Sequence, residues 1–482
     1  MPVPRELFTT DVFDTVITRA LGEPRQVGYL VATRLRGEGL IDVDAEVFVE
    51  TRERAEHLAR RRLGPGRTLA DVVRELAGLL GLPAADADRL LAVELDVELS
   101  LTRELPGAGA LLAAERGRGA QVGFLSDTPM TAEQVRTLLA RCGVVEQGDL
   151  VWTSSDLAAE KGEGEAYAAV AAALGGRPRA WRHRGDNRRS DALMARLSGV
   201  EGTWAPAGRL TRDEQRLDRA APATGGTSSA LAGASRRARL LLAADGDEDP
   251  RTPSATGVLA PLLVGYALWA VQRCRTRGVP GLRVTGPAER TLREVLAPLV
   301  AALAPQVAVL AGADAPLAGE VVLHSPGATS GPGLHLVRVS GEADEESAGW
   351  LRDDVARTGS VEADVDAALL VAALAAGQHP GPALVAREVA GVLPLLPWET
   401  DLRGAALGVA RRLALEPTAA EARRWAGEAL APWPAADVVL AGPGRRAALV
   451  VRRQAQTAVG TLRHKGSRGI VLVRGRLTAH RP

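Results

Sequence analysis

Short apolar runs ending in polar side chains recur between Leu7 and Ala205, and stretches of helical period separate them. The runs are LFTTD (7–11), QVGFLSD (121–127), DLVWTSS (149–155), a segment within RAWRHRGD (179–186) and VEGTWA (200–205). Between the later ones lie ALLAAERG, AEQVRTLLARCG, EAYAAVAAALG and SDALMARLSG, with apolar residues three and four apart. Such alternation predicts a parallel sheet with helices on its faces, an α/β fold of Rossmann-like type. The first two strands are separated by about eighty residues of almost wholly helical pattern, from about Pro24 to Leu105, punctuated by Gly-Pro-Gly at 64–66 and by Pro83. This block reads as a helical cap inserted after the first strand, and caps of this sort close over a site and exclude water.

The polar ends of those strands carry the chemistry. They are DVFDT at Asp11–Thr15, FLSDT at Phe124–Thr128 and GDNRRSD at Gly185–Asp191, with Lys161 between the last two. An open α/β sheet gathers its functional groups at such strand ends. An early Asp can attack, Ser and Lys can hold phosphate oxygens, and a late acidic pair can hold Mg²⁺. Lys161 is the most telling of these. The chain has 59 Lys and Arg, yet only Lys161 and Lys465 are lysines. A lysine kept in so Arg-rich a chain marks a place for a compact ammonium that a planar guanidinium cannot imitate.

The order of strand, DxxxT, strand-end Ser, Lys and GDxxxxD resembles the haloacid dehalogenase (HAD) superfamily of hydrolases over residues 7–204, and within it the members whose first motif reads DVFDT. The resemblance implies a Rossmann-like core in residues 1–23 and 106–205 and a cap in 24–105. It implies Asp11 as the nucleophile that forms an aspartyl-phosphate, Thr15 and Ser126 as donors to the transferring oxygens, and Lys161 as the charge that offsets both. It further implies Mg²⁺ held by Asp11, the Phe13 backbone carbonyl, Asp186 and Asp191. One position departs from the pattern. Phosphatases of the superfamily carry a general acid two residues after the nucleophile, where this chain has Phe13. Asp14 is one step too far to replace it, and is expected to be structural.

The function expected is therefore Mg²⁺-dependent hydrolysis of a phosphorylated small molecule. Two alternatives remain open: a catalytically weakened binding or scaffold protein of this fold, and a metal-independent dehalogenase. Dehalogenases also have a non-acidic residue at position 13, but usually lack the first acid of the late motif, which this chain keeps as Asp186. His183 is expected to be a buried core or edge residue, Trp181 and Trp204 core, and Arg188 and Arg189 solvated.

Residues 206–229 are polar and without clear period, which predicts a linker. Residues 230–482 alternate again, predicting a mixed α/β and helical accessory region of unassigned role, without internal repeat. Its expected elements include a helix at 256–277, strands GLRVTG, QVAVLAG, EVVLHS and LHLVRVS, a helix in PTAAEARRWAGEALA and a final strand GIVLVRG. Where DVFDT relatives often have an Arg-Asp-Gly turn, this chain has VTGPAE (Val284–Glu289). With 59 basic against 58 acidic residues, nothing favours a polyanionic partner, so nucleic acid is not expected. The longest apolar stretch, from Val258 to Trp269 and a little beyond, is too short to span a bilayer. Two cysteines, Cys142 and Cys274, offer no disulfide framework and are expected to be small buried hydrophobes. The expectation is a cytoplasmic protein without a membrane partner.

Overall fold

A computed structural model of the chain describes residues 3–246, 249–315, 317–318, 320–324, 334–335, 348–350, 379–415, 417–418 and 421. The chain opens with β1 (Glu6–Thr10) and an antiparallel ribbon of β2 (Ile17–Arg19) and β3 (Thr102–Glu104). Between the ribbon's two strands lie four α-helices, α1 (Val27–Gly37), α2 (Ala45–Leu63), α3 (Leu69–Leu79) and α4 (Ala87–Leu101). The ribbon is thus both entrance and exit of the helical block. The strands β4 (Gln121–Ser126), β5 (Leu150–Thr153), β6 (Ala180–Gly185) and β7 (Glu201–Trp204) follow.

The main sheet has the order β5-β4-β1-β6-β7, and every neighbouring pair is parallel. It is a Rossmann-like α/β sheet, as the alternation predicts. Helices cover both faces, so alternate residues enter different cores: Phe8, Val122 and Phe124 pack in one, Leu7, Leu125 and Trp181 in the other. From β1 the chain builds outward to β4 and β5, then returns to β6 on β1's other side. That reversal makes a topological switch point at the carboxyl ends of β1 and β6, where a crevice opens.

The helical block docks on the sheet's carboxyl end. The Leu69 amide donates to Pro129 O at 2.6 Å, and Arg60 and Arg67 both reach Glu160. Thr68 and Asp71 form a capping box that starts α3 at this junction.

Residues 206–229 are no loose linker. Thr211 and Glu214 form a capping box at the head of an Arg212–Arg219 helix, and a second helix, Thr227–Ala244, begins inside the same segment. The polar composition concealed buried partnerships. Asp218 bonds Ser229, and Asp213 binds Arg412 at 2.7 Å, so charges that read as solvated are matched inside the protein. Beyond them the Thr252–Arg277 helical segment runs 26 residues, long and apolar enough to cross a membrane, but 94% of its apolar window is buried in the protein. The apolar run from Val258 to Trp269, expected to be too short to span a bilayer, is the middle of this longer buried segment.

A second parallel sheet combines β8 (Gly281–Thr285), β9 (Ala308–Leu310), β10 (Val321–His324), β11 (Leu334–His335) and β12 (Ala348–Gly349), in the order β12-β11-β10-β8-β9. The Glu289–Leu303, Gly381–Ala390 and Arg403–Leu415 helices accompany it. Cys274 is buried, whereas Cys142 is half-buried at a helix end. The expected strand GIVLVRG, most of LHLVRVS and nearly all of PTAAEARRWAGEALA lie outside the described residues, as does Lys465.

Candidate active site

Register brings the predicted groups together. The Asp11 amide donates to Arg184 O at 2.8 Å, so Asp11 leaves β1 level with Gly185 at the end of β6. On β1's other side Thr10 pairs with Phe124, which puts Ser126, buried at the end of β4, one step beyond the level of Asp11. Lys161 enters from the turn after β5. Its backbone N–H donates to both carboxylate oxygens of Asp127, at 3.0 and 3.2 Å. Asp127 therefore pins the lysine's turn to the β4 loop. Sequence reasoning passed over this acid within FLSDT.

The Lys161 ammonium is buried and donates to Asp11 Oδ1 at 2.5 Å and to Asp191 Oδ1 at 2.7 Å. Ligand atoms of Asp11, Asp186 and Asp191 all lie within 4.8 Å of one another, and no other such metal-capable group occurs among the described residues. Three carboxylates around one ammonium leave an excess of negative charge in a dry pocket. Burial, opposed by Lys161 and aided by Asp191, pushes the Asp11 carboxyl up to about 7. Burial with the nearby charges of Asp14 and Asp191 pushes Asp186 up to about 6. Asp191 is also raised by burial, but Lys161 and His183 outweigh it and hold it well below the usual carboxylate range. Lys161 is lowered by burial, yet its three acidic neighbours hold it firmly protonated.

Asp191 is the best-held member. Besides Lys161, His183 Nε2 lies 3.2 Å from Oδ1, and the Asn187 amide donates to Oδ2 at 2.9 Å. His183 Nδ1 in turn lies 2.9 Å from Thr9 Oγ1, which accepts from Trp181 Nε1 at 2.8 Å. A neutral imidazole suits this line, taking the Thr9 proton at Nδ1 and giving its own at Nε2; burial lowers the His183 pKa in the same direction. Oδ1 of Asp191 then has both lone pairs engaged, and Oδ2 keeps one free. Gly185 is required here, since a Cβ on it would fall 2.2 Å from Asp191 Oδ2.

The residues after β6 wind as a π-helix, Arg188–Met194, capped by the Asn187 side chain, which accepts from the Arg189 and Ser190 amides. The wide turn carries Asp191 inward while Arg188 and Arg189 stay exposed, as expected. Among the described residues Asp186 has no closer ionic partner than Arg209 Nε at 3.8 Å, which makes it the least committed of the three acids. Trp204 corrects the sequence reading: it is 47% exposed, and its indole donates to Asp186 O at 2.8 Å instead of filling the core. Its strand ends beside the site, so the ring covers the acid's backbone.

Thr15 Oγ1 is buried without a hydrogen-bond partner, an orphan in a site otherwise densely paired. The Phe13 ring lies under the Arg19 guanidinium, 4.1 Å from its centroid, and lines a cavity of about 350 Å³ between the helical block and the sheet. Asp14 takes a left-handed conformation, φ 54°, that Asp tolerates because its short side chain bonds locally. Its Oδ1 accepts from Thr18 Oγ1 at 2.7 Å and from Arg236 at 2.9 Å, the structural part expected of it.

No protein-family model matches the sequence, and no curated protein matches it. Among solved structures the chain is similar to the defluorinating L-2-haloacid dehalogenase Rha0230, with 19% identity over 42% of this chain and 82% of that one, TM-score 0.31. It is also similar to the HAD-hydrolase YfnB from Bacillus subtilis bound to magnesium, with 17% identity over 42% and 90% of the two chains, TM-score 0.32. A third is a HAD family hydrolase from Deinococcus radiodurans with bound phosphate and sodium, 15% identical over 41% and 79%, TM-score 0.25.

Proposed function

We propose that this chain is a HAD-type, Mg²⁺-dependent phosphoester hydrolase whose nucleophile is Asp11. The observation that carries the reading is the single ammonium of Lys161 shared between Asp11 and Asp191 with Asp186 alongside. That set holds more negative charge than it can keep, and a divalent cation is what restores the balance. Asp11, Asp186 and the free lone pair of Asp191 Oδ2 fit a hard cation that takes oxygen ligands, with the Phe13 carbonyl as a further candidate. When bound, Mg²⁺ supplies positive charge to the phosphoryl oxygens and to the nucleophile.

The chain's own groups do the rest. Lys161 fixes Asp11 through Oδ1, which leaves Oδ2 for attack on phosphorus. A P–O bond forms to Asp11, the ester P–O bond breaks, and its electron pair leaves on the substrate oxygen. Water then cleaves the aspartyl-phosphate, releasing inorganic phosphate and restoring the carboxylate. Ser126 and the orphaned Thr15 hydroxyl donate to the transferring oxygens. Position 13 supplies no proton to the leaving oxygen, so substrates with good leaving groups turn over best.

The cavity above the site narrows the substrate. Its arginines are already matched: Arg19 binds Glu98 at 2.8 and 2.9 Å, and Arg52 binds Glu94 at 2.7 Å and Glu56 at 3.1 Å. Three arginines face five carboxylates around an apolar floor that includes Phe48 and Met130. A leaving group that is neutral or cationic fits this lining, and a second anion does not.

The test is turnover of a panel of phosphomonoesters and 2-haloacids with MgCl₂ or EDTA, using wild type and Asp11→Asn. Mg²⁺-dependent phosphate release, lost in Asp11→Asn, with a phosphoryl group trapped on Asp11, is the expected result. Halide release in EDTA would move the chain to the dehalogenases. No turnover of any substrate by wild type would favour the scaffold reading.

A further inference from the structure

We infer that the Thr227–Ala244 helix braces the ribbon on which the helical cap pivots, and that Arg236 is a positioning residue for the nucleophile loop. The inference rests on the hydrolase reading for its catalytic consequence only. The cap is joined to the core through β2 and β3 and the segments flanking them. Every one of those segments is tied to this single helix or to the residues next to it.

Arg236 is 1% exposed and lies 222 positions beyond Asp14 in sequence. Its guanidinium donates to Asp14 Oδ1 at 2.9 Å, to Arg19 O at 3.0 Å, to Leu21 O at 2.8 Å and to Gly208 O at 3.4 Å. One planar fork thus joins the left-handed residue after Phe13 to the strand that enters the cap. The next residue, Arg237, donates to the carbonyl of Glu104 on the strand that leaves the cap. Ser229 on the same helix accepts from the Gly22 amide at 2.9 Å and donates to Asp218, which accepts from the Glu23 amide at 3.1 Å and from Gln26 Nε2 at 3.0 Å. Backbone contact is equally close. A Cβ on Gly233 would lie 2.6 Å from the Ala20 carbonyl carbon and the Leu21 amide, so the helix presses directly on the pivot.

The physical consequence is a hinge whose rest position is set from outside the core and cap. Removing the fork strips its ion pair from Asp14 and a donor from three carbonyls together, and so loosens the loop that carries Asp11, Phe13 and Thr15 from the Thr227–Ala244 helix. Arg236 does not line the cavity, so it acts through Asp14 and the ribbon and never on the substrate.

Hydrogen–deuterium exchange on the full chain tests this, comparing wild type with Arg236→Gln, Arg236→Lys and Asp14→Asn. Asn is at home in a left-handed position and keeps the Thr18 bond, so Asp14→Asn removes only the charge that Arg236 holds. In Arg236→Gln, amides in 14–23 and 102–106 should exchange about ten- to a hundredfold faster, the factor one charged hydrogen bond commands. Arg236→Lys, which keeps the charge without the fork, should recover part of the protection. Amides of β4 and β6 should not change. On a turned-over phosphoester, kcat should fall with KM retained. Unchanged hinge exchange in folded Arg236→Gln overturns the inference, as does uniform acceleration over the whole chain. If Arg236→Gln does not fold, Asp14→Asn decides by the same criteria. Failure of the hydrolase reading would show as no turnover by wild type, and leaves the exchange result to be judged alone.

Discussion

The Lys161 ammonium stands 2.5 Å from Asp11 Oδ1, joining two residues 150 positions apart in a pocket that shields both from water. A guanidinium in that place would be larger and would hold its donors in one plane. It could not serve Asp11 and Asp191 from the same point without displacing one of them. Lys161→Arg is expected to lower turnover by at least about 10²-fold, the scale of small misplacements of a reacting group. Lys465→Arg should leave turnover unchanged. Equal, unaffected turnover in both variants would remove Lys161 from the active site.

The acid-base behaviour of Asp11 gives a second expectation, with a definite sign. Its folded-state pKa is raised from 3.8 to about 7, so between those values the native state holds the extra proton and the unfolded state does not. Stability contributed by this group therefore falls as pH rises through that window. His183 works oppositely below about 6.5, since burial lowers its pKa, and a plain melting curve mixes the two. The difference between Asp11→Asn and wild type isolates Asp11. Measured in EDTA, the variant's advantage in Tm should grow from pH 5 to pH 8, and MgCl₂ should shrink it at pH 8. A difference that stays flat across pH would mean that Asp11 is not strained by its neighbours.

On the proposed hydrolase reading, Phe13 stands where a general acid would reach the leaving oxygen, and it lines the cavity between the helical block and the sheet. Phe13→Asp is expected to raise hydrolysis of poor leaving groups more than of good ones. A positioned general acid is worth about 10²–10⁴-fold. The comparison is kcat for an alkyl phosphate against an aryl phosphate, and a folded variant without selective gain would count against the missing acid as the reason for a good-leaving-group preference.

His183 links Thr9 to Asp191 and is fully buried. His183→Phe keeps the ring's bulk but strips one bond from each neighbour. Losing one hydrogen bond at each of these buried groups should cost about 1–3 kcal/mol, read from the urea midpoint. Because the imidazole orients a carboxylate of the acidic triad, Mg²⁺ affinity should also fall, by about 10–100-fold. Calorimetric titration with MgCl₂ would show this, and an unaltered affinity would make His183 a core residue alone.

Much of the site could be read in the chain because its members sit at strand ends, and period-two and period-3.6 patterns locate strand ends. Asp11, Ser126 and Asp186 fall there, so their convergence follows from the order of strands in a parallel sheet, and Lys161 joins them from the turn beyond β5. Asp127 and His183 were less legible. An acid that pins a backbone turn and a histidine that orients a carboxylate look in sequence like any loop Asp or core His, since their meaning lies in one partner each. Trp204 misled for a related reason: aromatic character predicts burial, but its strand ends at the crevice, where the indole found an exposed carbonyl.

Local residue preference determined the strands of the main sheet, the helical block and the capping box that opens α3, because those features depend on neighbours within four residues. Sequence also singled out Lys161, one of two lysines amid the arginines, since composition registers what a site cannot substitute. Tertiary structure alone decided that residues 206–229 are a folded part of the protein, and that Asp14 answers to Arg236 from 222 positions away. Such pairings have no periodic signature. They arise only when packing brings distant segments together, as it does in burying the Arg236 guanidinium against Asp14 and the ribbon carbonyls.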